Sequence, residues 1–161
     1  MNVQVVYATK YGSTREVAEA IAEELGRAHH VLVRDAREVE SFDGAEAVLL
    51  GSAIYAGHWL KPARRLLQER ASELASGRVW LFSVGPLGDP PEPADAGPEG
   101  ISEAIDATRA GGHEVFAGKL DRSALSRVER LMVGALCAPE GDFRDWEAIR
   151  AWAQGVAEEL E

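Results

Sequence analysis

The run Val3-Gln4-Val5-Val6-Tyr7-Ala8 is β-branched and apolar, and it stops at Thr9-Lys10-Tyr11-Gly12-Ser13-Thr14. A helical pattern starts there at once, with Arg15, Glu16 and Glu19 on one side and Val17, Ile21 and Leu25 on the other. Strand, tight loop and helix N-terminus therefore follow one another directly. The first N–H groups of a helix lack internal partners, and the helix dipole favours negative charge beside them. A loop of hydroxyls and glycine adds donors and a permissive backbone, making a cradle for one phosphate. A merely capped helix needs a single hydroxyl at Ser13 or Thr14; this loop offers Thr9, Ser13 and Thr14, with Tyr11 beside them.

The same alternation continues along the chain. Strands are predicted over residues 3–8, 30–34, 45–51, 78–84 and 113–117. Helices are predicted over 14–27, 60–75, 101–110, 125–136 and 146–160. Residues 45–51 read as a central strand because their apolar run is nearly continuous. Residues 85–100 are rich in Gly, Pro and Asp, and read as a long loop. Alternating strands and helices imply one parallel sheet covered on both faces. The 161 residues suit a single domain, 1–161, with a full-sized core.

Such sheets bind ligands beyond the carboxyl ends of their strands. Three loops fall there. The first is Thr9, Lys10, Tyr11, Gly12, Ser13 and Thr14. The second is Ser52, Ala53, Ile54, Tyr55, Ala56 and Gly57, followed by His58 and Trp59. Tyr55 is placed to stack on a flat ring; Trp59 either joins it or opens the next helix and packs in the core. The third loop, Ser83, Val84, Gly85, Pro86, Leu87 and Gly88, brings backbone groups that can read a heterocycle edge; a plain connecting turn has the same composition.

Several classes are disfavoured. The first loop lacks the Gly-Lys-Ser/Thr ending of a nucleoside-triphosphate loop and the glycine spacing of a dinucleotide fingerprint. Strands one and three end in Thr9 and Ser52, where a phosphorylatable receiver domain needs acidic residues. Ser83 lacks the preceding glycine of a nucleophile elbow. His29, His30, His58 and His113 show no metal-ligand spacing. His58 either hydrogen-bonds a substrate from the ring loop or stands at the surface. The net charge of −10 argues against nucleic acid. Cys137 is the only cysteine and reads as a packed residue, so no internal disulfide forms. No apolar run reaches transmembrane length, which makes the cytoplasm the expected address.

The loop Thr9-Lys10-Tyr11-Gly12-Ser13-Thr14 resembles the phosphate loop of flavodoxins, and the two later loops resemble those holding the flavin ring. The resemblance covers the whole chain. It implies a flavodoxin-like α/β fold with a five-stranded parallel sheet, order 2-1-3-4-5, and helices on both faces. Within the family, residues 51–58, Phe116-Ala117-Gly118-Lys119-Leu120 and Asp145-Trp146 resemble the menaquinone-dependent protoporphyrinogen dehydrogenase branch, with residues 121–144 as its extra segment. The implied cofactor is FMN, with its phosphate on the first loop and its ring between the second and third. The implied function is a flavin-binding redox protein passing electrons between a reductase and a partner or small molecule. Two alternatives accompany it. One is a deazaflavin (coenzyme F420) protein that transfers hydride, with Lys10, Arg15, Lys61, Arg64 and Arg65 as candidate cations for the coenzyme's tail. The other is a porphyrinogen-oxidising enzyme with a quinone acceptor. A redox partner protein or a small-molecule substrate is expected, and peripheral membrane contact stays open.

Two helical stripes complete the reading. Leu125, Val128, Leu131, Met132, Val133 and Leu136 oppose Arg122, Arg127 and Arg130; a helix covering the sheet explains this best, an exposed docking stripe being the other reading. Trp146, Ile149, Trp152, Val156 and Leu160 read as core.

Overall fold

The computed structural model of the chain describes residues 1–85, 97–121, 123, 125–135 and 140–161. The parallel strands are β1 (Asn2–Ala8), β2 (His30–Asp35), β3 (Ala47–Tyr55), β5 (Arg78–Val84) and β6 (His113–Phe116). Their order in the sheet is β2-β1-β3-β5-β6, which is the predicted 2-1-3-4-5 once a short extra strand, β4 (His58–Trp59), is counted. The fold is the predicted flavodoxin-like α/β architecture.

Period-two alternation divides the central strands β1, β3 and β5 between two cores. Val3, Val5 and Tyr7 face one side with Leu49, Phe82 and Phe116, beneath helices α1 (Ser13–Leu25) and α6 (Trp146–Leu160). Val6 and Ala8 face the other with Val48, Leu50, Val79 and Leu81. That side is covered by α2 (Lys61–Glu69), α3 (Ala71–Leu74) and α4 (Ile101–Thr108). The stripe on α6 behaves as predicted: Ile149, Val156 and Leu160 are buried, and Trp146 and Trp152 pack partly buried against them. Trp152 lies edge-on to Phe116 at 5.6 Å and tilted against Phe82 at 6.1 Å, both favourable aromatic geometries. Gly51 makes room for this core, because a Cβ there would meet the Phe82 ring at 2.2 Å.

Three features differ from the sequence reading. The helix predicted over 60–75 is two helices, because Arg70 leaves helical geometry at φ −120°, ψ 17°. The strand predicted to end at residue 51 runs on to Tyr55 and folds back as a hairpin. In that hairpin Tyr55 pairs with His58 across Ala56 and Gly57, whose positive φ values of 50° and 79° match the twist of a two-residue turn. The segment after β6 contains a two-stranded ribbon, β7 (Lys119–Leu120) with β8 (Gly141–Asp142), and helix α5 (Arg127–Ala135). Here the preferred reading fails: α5 is no sheet-covering helix. Leu125 is buried, but Val128 and Leu131 are 67% and 75% exposed, because the ribbon carries α5 beyond the sheet. Arg122, Leu136 and Cys137, and the side chains of Met132 and Val133, lie outside what is described. Among the described residues, no helix is long and apolar enough to cross a membrane.

Candidate cofactor site

Because the strands are parallel, the ends of β1, β3 and β5 share one edge of the sheet, and the three loops meet there. The first loop turns on Gly12, whose φ of +93° lies in the left-handed region, with open space around its Cα. Its N–H donates to Thr9 Oγ1 at 3.0 Å, closing the turn. Gly12 is also the N-cap of α1, and no side chain caps that helix. The capped-helix alternative therefore does not hold. Thr14 is fully buried in the first turn, and its Oγ1 has no hydrogen-bond partner. Leaving a buried hydroxyl unsatisfied costs about 1–3 kcal/mol. Two kinds of donor, first-turn N–H groups and a hydroxyl, thus stand unanswered at the positive end of a helix dipole, where an oxyanion answers both. A phosphate monoester fits these residues.

Lys10 and Tyr11 rim the loop. The Lys10 ammonium lies 4.6 Å from the Tyr55 ring centre and 5.6 Å from that of Tyr11, so it bridges the first and second loops. It also pairs with Glu129 of α5 at 3.0 Å. That hydrogen bond, ahead of the desolvation that opposes it, raises the Lys10 pKa above the ordinary lysine value. Tyr11 and Tyr55 are 45% and 37% exposed. The segment after β6 supplies an outer wall: Tyr11, Gly12, Ser13 and Glu16 face Lys119 and Asp121 across a cleft of about 140 Å³.

The second loop is satisfied internally. Ser52 is fully buried; its hydroxyl donates to the Ala53 carbonyl at 2.8 Å and accepts the Leu60 N–H at 2.9 Å. Ser83 is buried too, accepting Trp59 Nε1–H at 2.8 Å and meeting His113 Nε2 at 2.7 Å. Burial lowers the His113 pKa, favouring the neutral ring; in the tautomer with its proton on Nδ1, Nε2 accepts from the Ser83 hydroxyl. Trp59 packs in the core at 3% exposure, as its second reading held, but from the end of β4 rather than the start of a helix. Ser52 and Ser83 lie at the site with their hydroxyls turned inward, whereas Ala53, Ile54, Tyr55, Ala56 and Gly57 form the hairpin that rises beside it. Val84 is buried, and Gly85 donates to the Phe116 carbonyl at 2.7 Å. Pro86, Leu87 and Gly88 lie outside the described residues.

The candidate tail cations disperse. Arg15 pairs with Glu19, and Arg65 with Glu69 and the carbonyls of Ala36 and Val39. Lys61 and Arg64 stand exposed on α2. His58 faces Glu99 at 3.4 Å, and with Trp59, Arg64, Pro98 and Ile101 it lines a second cleft of about 440 Å³. Among the described residues, no group of His, Cys, Asp and Glu could hold a metal ion. Sequence reasoning missed Arg144, which reaches the first loop from across the chain. Its signal was weak: one arginine in a polar stretch.

A doubly wound sheet with an uncapped, hydroxyl-rich helix start after β1 and an aromatic hairpin after β3 has the architecture of a ligand-binding α/β domain. A family profile described as "Flavodoxin domain" matches residues 4–146, and the chain belongs to that family. At coarse grain this makes it a flavin-binding redox domain. The fold is similar to a flavodoxin from the domain Archaea, at 19% identity and TM-score 0.65 over 99% of both chains. It is also similar to oxidised Flavodoxin 2 from Bacillus cereus, at 16% identity and TM-score 0.66 over 99% of both chains. A third likeness is the Streptococcus pneumoniae TIGR4 flavodoxin, at 16% identity and TM-score 0.61 over 99% of this chain and 97% of that one. Among curated proteins, none matches the sequence.

Proposed function

We propose that this protein binds FMN and transfers electrons between a reductase and a partner. The observation that carries the reading is the buried, unpartnered Thr14 hydroxyl at the uncapped amino end of α1. Thr9, Gly12, Ser13 and Thr14 would hold the phosphate, with Lys10 and Tyr11 at its rim. The Tyr55 hairpin and the loop opening at Gly85 would flank the ring. When bound, the flavin supplies the redox chemistry. The chain's own work is to anchor the phosphate, keep water from one ring face with Tyr55, and set the local charge. Lys10 brings a cation close to Tyr55, partly offset by Glu129. The net charge of −10 suits docking on a basic partner surface.

The FMN reading is favoured over deazaflavin by the charges beside the loop. The cleft that would receive a carboxylate-bearing tail holds Glu16 and Asp121 against Lys119, a poor setting for further negative charge. A small-molecule oxidoreductase is the second reading, the porphyrinogen-oxidising alternative included. The cleft under the hairpin, with its apolar floor and the polar groups of His58 and Arg64, supports it. The test is purification followed by mass spectrometry of the released chromophore, with FMN reconstitution followed by fluorescence. FMN, free or taken up in a one-to-one complex, is the expected result. A deazaflavin chromophore, or no uptake of FMN, overturns the proposal.

A further inference from the structure

Arg144 ends the segment inserted after β6, yet its guanidinium lies against the first loop. The side chain is 4% exposed. It forks onto Asp142, at 2.8 Å to Oδ1 and 2.7 Å to Oδ2. From its other edge, Nη1 donates to the Ser13 carbonyl at 3.3 Å and to the Glu16 carboxylate. The guanidinium also lies 4.6 Å over the Trp146 ring. Ser13 belongs to the phosphate loop, and Glu16 to the first turn of α1.

One guanidinium and two carboxylates leave this cluster one charge negative, so it cannot serve as an anion receptor. Nearby elements have their own supports: α6 is capped by Asp145, which accepts the Ala148 N–H at 3.0 Å, and α1 meets α6 through Ile21, Ile149 and Ala153. What remains is mechanical. A planar fork fixed on Asp142 fixes the Ser13 carbonyl, and the carbonyl's peptide plane sets the aim of the next N–H, that of Thr14. We propose that Arg144 is a positioning residue for the phosphate loop, coupling the inserted segment to phosphate affinity. This inference rests on the FMN reading.

The test titrates the full chain and its Arg144→Lys variant with FMN and with riboflavin, which lacks the phosphate. Lysine keeps the charge and loses the fork. The expected result is an FMN Kd raised about tenfold while the riboflavin Kd changes less than about twofold. An unchanged FMN Kd, or equal losses for both ligands, overturns the positioning role while leaving the FMN reading intact. A wild-type chain that binds neither ligand overturns both. If a thermal melt shows Arg144→Lys unfolded, Asp142→Asn replaces it, since that carboxylate is 41% exposed. A loss of about threefold confined to FMN is then expected, and no loss overturns the proposal.

Discussion

The phosphate loop and the hairpin beside it are built from similar residues, small, hydroxylated and aromatic, yet they treat their polar groups in opposite ways. In the loop, Thr14 Oγ1 is buried without a partner and α1 goes uncapped. Under the hairpin, Ser52 is satisfied by the Ala53 carbonyl and the Leu60 N–H, and Ser83 by Trp59 and His113. An unsatisfied buried group costs stability wherever it stands. The chain carries that cost at Thr14 and avoids it at Ser52 and Ser83. On the FMN reading, the loop is where the ligand would complete the protein, and the hairpin is a wall beside it.

Ser13→Asp breaks the comparison hardest. It places a carboxylate on the loop that would hold a dianion, and like charges a few ångströms apart near a protein surface repel by several kcal/mol. FMN affinity is expected to fall at least about a hundredfold, close to 3 kcal/mol, as read by fluorescence titration. Retained affinity would show that the phosphate binds elsewhere. Ser83→Ala comes next and acts on the other region. It orphans the Trp59 Nε1–H inside the core and removes the partner of His113 Nε2, which costs about 1–3 kcal/mol of stability. Chemical denaturation should register that loss, with FMN affinity within about twofold of wild type.

Thr14→Val sharpens the contrast through opposite signs. Valine matches threonine in shape and removes the unsatisfied hydroxyl, so the ligand-free protein should gain about 1 kcal/mol. FMN affinity should fall about tenfold, because a donor to the phosphate is lost. Ligand-free destabilisation with unchanged FMN binding would mean that the hydroxyl serves the fold instead.

The two regions were also unequally legible. The loop could be read because its elements are local: the β1 run, Gly12 and the α1 stripe are contiguous, and the backbone near them follows from residue type. Parallel pairing followed from alternation, the strand order from the family resemblance, and the α6 stripe from its period. The hairpin was missed because Ala56-Gly57 is a weak turn signal and Ala56 is no habitual left-handed residue. The Ser83–His113 bond joins neighbouring strands, and nothing in either segment's composition announces it. The ribbon β7–β8 spans two residues a side, too short for any period to show. The stripe on α5 misled for a related reason. Periodicity tells which residues share a face, not what that face meets, and Val128 and Leu131 meet solvent. Arg144 was invisible because its partners, Ser13 and Glu16, lie at the opposite end of the chain.

The smallest expected effect concerns pH and tests whether the hairpin network is truly closed. His113 is partly buried, and desolvation lowers its pKa below the ordinary imidazole value. The unfolded chain therefore binds the His113 proton more readily than the folded one. Stability from this group is fully present above the unfolded imidazole pKa, about 6.5, and is lost as pH falls below it toward the folded value. The bond geometry agrees in sign. Ser83 Oγ accepts from Trp59 and, where the neutral ring carries its proton on Nδ1, donates to Nε2; a protonated ring is a donor at both nitrogens and ends that acceptor role. Denaturation measured at pH 7.5 and 5.5 should show the wild type losing more stability across that interval than His113→Gln, which cannot titrate. FMN titrations of the two proteins should show the same pH dependence, since the phosphate loop shares no hydrogen bond with this network. If His113→Gln instead altered the pH dependence of FMN binding, the hairpin would belong to the ligand's own chemistry, and the division drawn between the two regions would fail.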